Sequence, residues 1–216
     1  MPQAEKKDWF NLFCFDLVNW PPLSKTTVFG FKMEKKISTP LTEEISKTLR
    51  AGDSILLSGI VYTARDAAHG RLINLLDEGK ELPLNINGEV IYYVGPTPEK
   101  PGEVIGSAGP TTSYRMDSYA PRLLDLGLKG MIGKGARNEE VISAIKRNNA
   151  IYFGAIGGAG ALISKCIKSS EVIAYDDLGA EAIRKLEVKD MPLVVIIDTE
   201  GNNLYEIGKK EYLESI

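Results

Sequence analysis

Between residues 118 and 198 short, predominantly apolar runs alternate with helical patterns, and this rhythm limits the available folds more than any other feature. LKGMIG (128–133), AIYFGAI (150–156), EVIAY (171–175) and LVVIID (193–198) read as strands. Helices are predicted over 118–126, with Pro121 in the first turn and Gly127 beyond the end, and over 137–149, with Asn138 as N-cap and Glu139 and Glu140 at the positive end of the dipole. Two more are predicted at GGAGALISKCIKS (157–169) and GAEAIRKLEV (179–188). TEGNN then turns the chain into LYEI, read as the closing strand of a C-terminal hairpin. This order predicts an α/β fold with a mixed, largely buried sheet.

Upstream, Thr42 is a candidate N-cap for a short helix that has Glu43 and Glu44 in its first turn and stops near Gly52. Ile45 at the third position rules out a reciprocal capping box. SILLSGIVYTA (54–64) is a strand, or a strand pair bent at Gly59. RDAAHGRLINLLDEG (65–79) carries Ala67, Ala68, Leu72, Leu75 and Leu76 at helical spacing, and EVIYYVGP (89–96) is a further strand. This strand-rich part predicts a β layer beside the α/β layer.

A chain of 216 residues with net charge −3 has no global field for nucleic acid or an acidic membrane, so any anion site must come from local placement. Two cysteines, Cys14 and Cys166, make no disulfide framework and are too few for an iron–sulfur cluster, which fits a reducing, cytoplasmic setting. The N-terminus has no secretory pattern, and the apolar run WFNLFCFDLVNW (9–20) contains Asp16 and is shorter than the roughly 20 residues a span needs. Residues 1–32 are expected to be an extension or an upstream start, with the main domain at 33–216.

Local placement of cations is concentrated in AGPTTSYRMDSYAPRLLDLGLKGMIGKG (108–135). If the chain turns helically after Pro110, Thr111 and Arg115 share a face, and a guanidinium can grip a carboxylate with two parallel hydrogen bonds. The alternative is that Thr111 or Thr112 caps a helix and Arg115 is a solvated side chain. Lys134 follows an apolar strand and precedes a helix, where open α/β sheets bind ligands. It is not part of a phosphate loop, because Leu128 stands where the first glycine is required and Gly135 where a Ser or Thr is required. Arg65 and Asp66 occupy a strand-to-helix junction; Arg65 is a second candidate clamp and Asp66 a candidate N-cap. His69, the one histidine, suggests capping or packing rather than metal binding. The glycines of GAIGGAGA (154–161) miss the dinucleotide spacing and favour close packing. The result is a set of anion clamps with no obvious catalyst, as in half of an active site.

TARDAAH, AGPTTSYRMDSYAPRLLDLGLKGMIGKG, YFGAIGGAGALISKCIK, DLGAEAIRKLEV and GNNLYE, in this order over about 38–207, resemble the β subunit, or C-terminal domain, of class I iron–sulfur-dependent fumarate hydratases; L-tartrate dehydratase β subunits share the pattern. The resemblance implies a swivelling β/β/α domain and an active site shared with an α subunit in an α2β2 assembly. It places a 4Fe–4S cluster on that α subunit, where one iron polarises substrate oxygens. It also implies that Arg65, Arg115 and Lys134 bind substrate carboxylates. Thr111 would take the proton from the carbon beside the hydroxyl-bearing carbon of malate, which requires cationic surroundings and an acidic group from the partner. Tyr114 stands where relatives often have a smaller residue, which leaves the choice of dicarboxylate open. The alternatives are a tartrate or other hydroxy-dicarboxylate dehydratase subunit, or a non-catalytic anion-binding module of the same descent.

Overall fold

The computed structural model describes residues 34–156 and 158–215. The expectations for residues 1–32, the apolar run 9–20 and Cys14 included, lie outside these. The described elements are β1 (Lys35–Ser38), α1 (Glu43–Thr48), β2 (Ser54–Thr63), α2 (Asp66–Asp77), β3 (Val90–Tyr92), α3 (Ala120–Asp125), β4 (Gly130–Gly133), α4 (Glu139–Arg147), β5 (Ile151–Gly154), α5 (Gly160–Cys166), β6 (Ile167–Ala174), β7 (Ile183–Ile197) and α6 (Leu204–Glu214), with 3-10 turns at Ser113–Met116 and Asp176–Glu181.

Neighbouring strands from β1 through β5 pair in parallel. The long strand β7 runs antiparallel to both β2 and β5, so β2, β3, β4, β5 and β7 close into a ring; β6 adds to the free edge of β7. The β2–β7 register steps from Leu57↔Met191 to Gly59↔Val188, leaving one extra residue on β7. Asp190 absorbs that bulge with φ 49°, and its amide donates to the Ser58 hydroxyl at 3.0 Å.

Alternate residues along the ring strands feed two cores. Leu57, Val61, Tyr92, Ile132, Phe153, Leu186 and Val195 belong to a cluster shared by all five ring strands, which fills the ring. Ile91, Met131, Tyr152 and Ile196 face the other way and pack with Leu72, Leu123 and Ile145 of α2, α3 and α4. Burial of both faces explains why these strands are so apolar. Each large side chain so buried contributes about 1.5–3 kcal/mol.

Several local expectations hold. The Thr42 hydroxyl accepts from the Ile45 amide, Asn138 caps α4 through the Val141 amide, and Pro121 sits in the first turn of α3. Two do not. The helix predicted at 179–188 is the end of a 3-10 turn followed by the start of β7, a single strand of 15 residues that also contains LVVII (193–197). Ile183 and Leu186 have helical spacing, but Leu186 and Val188 are buried while Glu187 and Lys189 are exposed, and strand pairing on both edges enforces that period of two. The closing hairpin goes no further than one bridge, Ile197↔Asn203; Asn203 then caps α6 by accepting from the Tyr205 amide, and LYEI opens a helix. The mixed character of the sheet comes instead from β7 and β6.

Candidate active site

All four candidate residues lie at the carboxyl ends of parallel strands. Arg65 follows β2, Lys134 follows β4, and the segment carrying Thr111 and Arg115 returns to this edge from the long excursion after β3. The two tyrosines at the end of β3 hold that segment down. Tyr92 donates from its buried hydroxyl to the Ala108 carbonyl at 2.5 Å, and the Tyr93 carbonyl accepts from the Thr111 amide at 2.8 Å.

Thr111 and Arg115 do not share a helical face. The 3-10 turn begins only at Ser113, Thr112 ahead of it is extended, and the Thr112 side chain makes no capping bond. Thr112 instead pairs with Lys134 in an isolated parallel bridge, and the Ser113 amide donates to the Lys134 carbonyl at 2.9 Å. The segment thus extends the sheet by one rung beside β4, which puts Thr111 next to the Lys134 loop by strand geometry. The Thr111 hydroxyl is half-buried and makes no hydrogen bond among the described residues.

The arginines meet through a carboxylate. Arg115 donates to Asp66 at 2.5 Å, and Arg65 pairs with Asp66 at 3.8 Å and with Glu181 at 3.2 Å. Asp66 is therefore not the N-cap of α2. Arg65 holds that position without a side-chain bond, and Glu181 reaches across from the 3-10 turn to accept from the Ala67 amide at 3.3 Å. Asp66 carries a signal in the sequence, as an acid at the head of a helix. Glu181 carries none, because it is 114 residues from Ala67 and belongs to a stretch read as helix.

Beneath this edge lies a buried polar layer that the sequence does not reveal. The Arg137 side chain is fully buried, pairs with Asp117 at 2.6 Å, and sits over the rings of Tyr93 and Tyr152 at 5.4 and 5.1 Å. Burial works against its charge, but Tyr93, Asp117 and Tyr152 outweigh that and raise its pKa, so it remains cationic. The other oxygen of Asp117 accepts from the Asn138 amide at 2.8 Å, which ties the turn carrying Arg115 to the head of α4. Ser113 and Tyr152 have their hydroxyls 2.9 Å apart, and the Tyr152 hydroxyl is also 2.9 Å from the Gly135 carbonyl. A carbonyl can only accept, so Tyr152 donates to Gly135, and Ser113 donates to Tyr152.

His69 packs as expected. It is fully buried, edge-on to Tyr93 at 5.4 Å, with Nδ1 2.8 Å from the Arg65 carbonyl. That contact makes Nδ1 the protonated nitrogen, and burial lowers the ring's pKa to about 4. The glycine loop also packs. The Gly160 carbonyl accepts from the Ala108 amide at 3.1 Å, and a Cβ on Gly160 would stand 2.9 Å from the Gly109 nitrogen. Among the described residues no group of three His, Cys, Asp or Glu could hold a metal ion, and no helix is long and apolar enough to cross a membrane.

Fold and edge together define a mixed α/β ring domain whose parallel strand ends carry two arginines and a lysine. By sequence the chain belongs to the family described as Fumarase C-terminus, whose model matches residues 18–208 and so begins within the segment expected to lie outside the domain. Over 181 residues it is 42% identical to the Escherichia coli K12 protein named fumarate hydratase class I, anaerobic, a match covering 82% of this chain and 33% of that one. It is 38% identical over 156 residues to Leishmania major fumarate hydratase 2, covering 71% of this chain and 28% of that one. A Methanocaldococcus jannaschii protein provisionally named L(+)-tartrate dehydratase subunit beta is 36% identical over 179 residues, and there the match covers 80% of this chain and 92% of the relative. The chain thus spans about a third of the fumarate hydratases it matches and nearly all of the tartrate dehydratase subunit.

Proposed function

We propose that the chain is the β subunit of a cytoplasmic hydro-lyase that interconverts fumarate and (S)-malate, with its active site completed by a cluster-bearing α subunit in an α2β2 assembly. The observation that carries this reading is the joining of Arg65 and Arg115 through Asp66 at the edge where Thr111 and Lys134 also emerge. Two guanidinium forks suit the two carboxylates of a small diacid, and Lys134 adds a third positive charge on the loop whose backbone pairs with Thr112. In the dehydration direction the Thr111 oxygen takes a proton from the carbon beside the hydroxyl-bearing one, as the hydroxyl's own proton passes to a carboxylate of the partner subunit. The cations stabilise the extra negative charge that then accumulates on the adjoining carboxylate. A 4Fe–4S cluster does not fit the described residues of this chain, which offer no ligand set, so it is assigned to the partner.

A second reading, dehydration of tartrate, is favoured by the relative that this chain matches over 92% of its length. The decisive experiment is an anaerobic hydration assay that follows loss of fumarate absorbance with this chain alone, the candidate α chain alone, and the two mixed after cluster reconstitution. Turnover in the mixture only supports the split site. A mixture with an intact cluster that is inert to fumarate but dehydrates tartrate replaces the first reading with the second.

A further inference from the structure

We infer that Asp66 is a positioning residue: it sets the separation of the two arginine forks and thereby the length of diacid this edge accepts. The inference rests on the reading that Arg65 and Arg115 bind the two ends of a dicarboxylate.

Asp66 opens α2 immediately after Arg65. Its Oδ2 accepts from Arg115 Nη2 at 2.5 Å, and its Oδ1 lies 3.8 Å from Arg65 Nη2, an ion pair without a hydrogen bond. One carboxylate therefore turns one oxygen toward each guanidinium. Arg65 is also held from its other side. Its Nη2 is 3.2 Å from Glu181 Oε1, and a Cβ placed on residue 95 would stand 2.8 Å from its Nη1, so the guanidinium lies directly against that backbone. The side chain of Arg65 is 21% exposed and that of Arg115 is 40% exposed. Arg65 is accordingly the fixed fork and Arg115 the movable one, and Asp66 is the ion-pair partner that ties the second to the first.

The tie leaves donors on both guanidiniums without a hydrogen-bond partner among the described residues. Asp66 engages each guanidinium only through Nη2. Arg65 Nε is buried with no hydrogen-bond partner, and Arg115 Nε and Nη1 make no hydrogen bond among the described residues. A guanidinium has five N–H donors in a rigid plane, so holding one nitrogen orients the rest. A diacid spanning two forks at a fixed separation is selected by its length, and in a well-fitted site one methylene is worth about tenfold.

The test uses the chain assembled with its cluster-bearing partner, as wild type and as Asp66→Ala, Asp66→Asn and Asp66→Glu. Each complex is titrated calorimetrically with malonate, succinate and glutarate, and KM and kcat are measured with fumarate and with tartrate on the same samples. The wild type is expected to prefer succinate to glutarate by about tenfold. In Asp66→Ala that preference falls to about threefold or less, with KM raised by a larger factor than kcat is lowered. Asp66→Glu, which pushes Arg115 outward by one methylene, moves the preference toward glutarate. Should Asp66→Ala fail to assemble, Asp66→Asn, similar in shape but uncharged, and Asp66→Glu decide the matter. Equal weakening of all three diacids, with their ratios unchanged, reduces Asp66 to a structural role and overturns the inference while the reaction stands. Shifted ratios in a complex that turns over neither substrate keep the inference and sink the proposed reaction. A wild-type complex that binds none of the diacids overturns both.

Discussion

The Ser113 amide donates to the Lys134 carbonyl at 2.9 Å, and the Lys134 amide donates back to the Ser113 hydroxyl at 3.1 Å. This reciprocal pair, extended through Tyr152 to the Gly135 carbonyl, clamps the loop after β4 to the turn that carries Arg115. It closes only because residue 133 has no side chain: a Cβ there would stand 2.0 Å from Ser113 Oγ.

Gly133→Ala should therefore force the two loops apart and lower stability by about 1–3 kcal/mol, as overpacking does. Ser113→Ala alone should cost about 1 kcal/mol, because the part-buried Lys134 amide loses its acceptor. Urea midpoints of the two single variants and the double variant check the link. In the Ser113→Ala background Gly133→Ala should cost clearly less, whereas additive costs would show that the close approach is not what governs residue 133.

Thr111→Ala removes a half-buried hydroxyl with no hydrogen bond among the described residues, so assembly with the partner should be preserved. Turnover should fall by about 10²–10⁴, the usual contribution of a positioned proton acceptor. Near-normal kcat in the reconstituted complex would remove Thr111 from the mechanism.

Arg115→Lys keeps the charge but cannot hold Asp66 with one nitrogen while presenting a planar fork to a substrate. KM should rise by about tenfold or more, which corresponds to one lost charge-assisted hydrogen bond. Steady-state kinetics at saturating and limiting substrate separate KM from kcat; if both stay at wild-type values, Arg115 is not a clamp.

His69 makes stability depend on pH. Burial lowers its pKa to about 4 in the folded chain, against 6.5 for the free side chain, so the unfolded state takes up a proton that the native state refuses. Its contribution to stability is complete above about pH 6.5 and is lost as pH falls toward 4, a difference of roughly 3 kcal/mol over that window. Urea unfolding at pH 7.5, 6.0 and 4.5 should show a smaller loss for His69→Gln than for wild type. Parallel pH profiles for the two chains would mean that the ring is not held neutral.

Much of the local structure was legible because it depends on near neighbours. The hydroxyl of Thr42 and the amide oxygen of Asn138 cap their helices within three residues, and Pro121 takes the first turn of α3. The candidate clamps Arg65, Arg115 and Lys134 were legible for a related reason, as cations set among turn-forming residues at strand ends. The geometry that joins them was not legible. Thr111 reaches Lys134 through an added rung of sheet, and Arg65 meets Glu181 across a chain separation that no local pattern spans.

The sequence alone determined which runs are apolar enough to be buried on both faces, where the helices of the 118–149 region begin, and which cationic side chains are candidates for an anion, because these follow from composition and spacing over a few residues. Only the tertiary structure decided that residues 183–197 form one strand rather than a helix and a strand. There the edges of β2 and β6 supply partners along nearly the whole length of β7, and that pairing overrides the helical spacing of Ile183 and Leu186. The same long strand bends the sheet into a ring and leaves the carboxyl ends of its parallel strands side by side. Long-range pairing thus gathers Arg65, Lys134 and the segment that carries Thr111 and Arg115 at one edge.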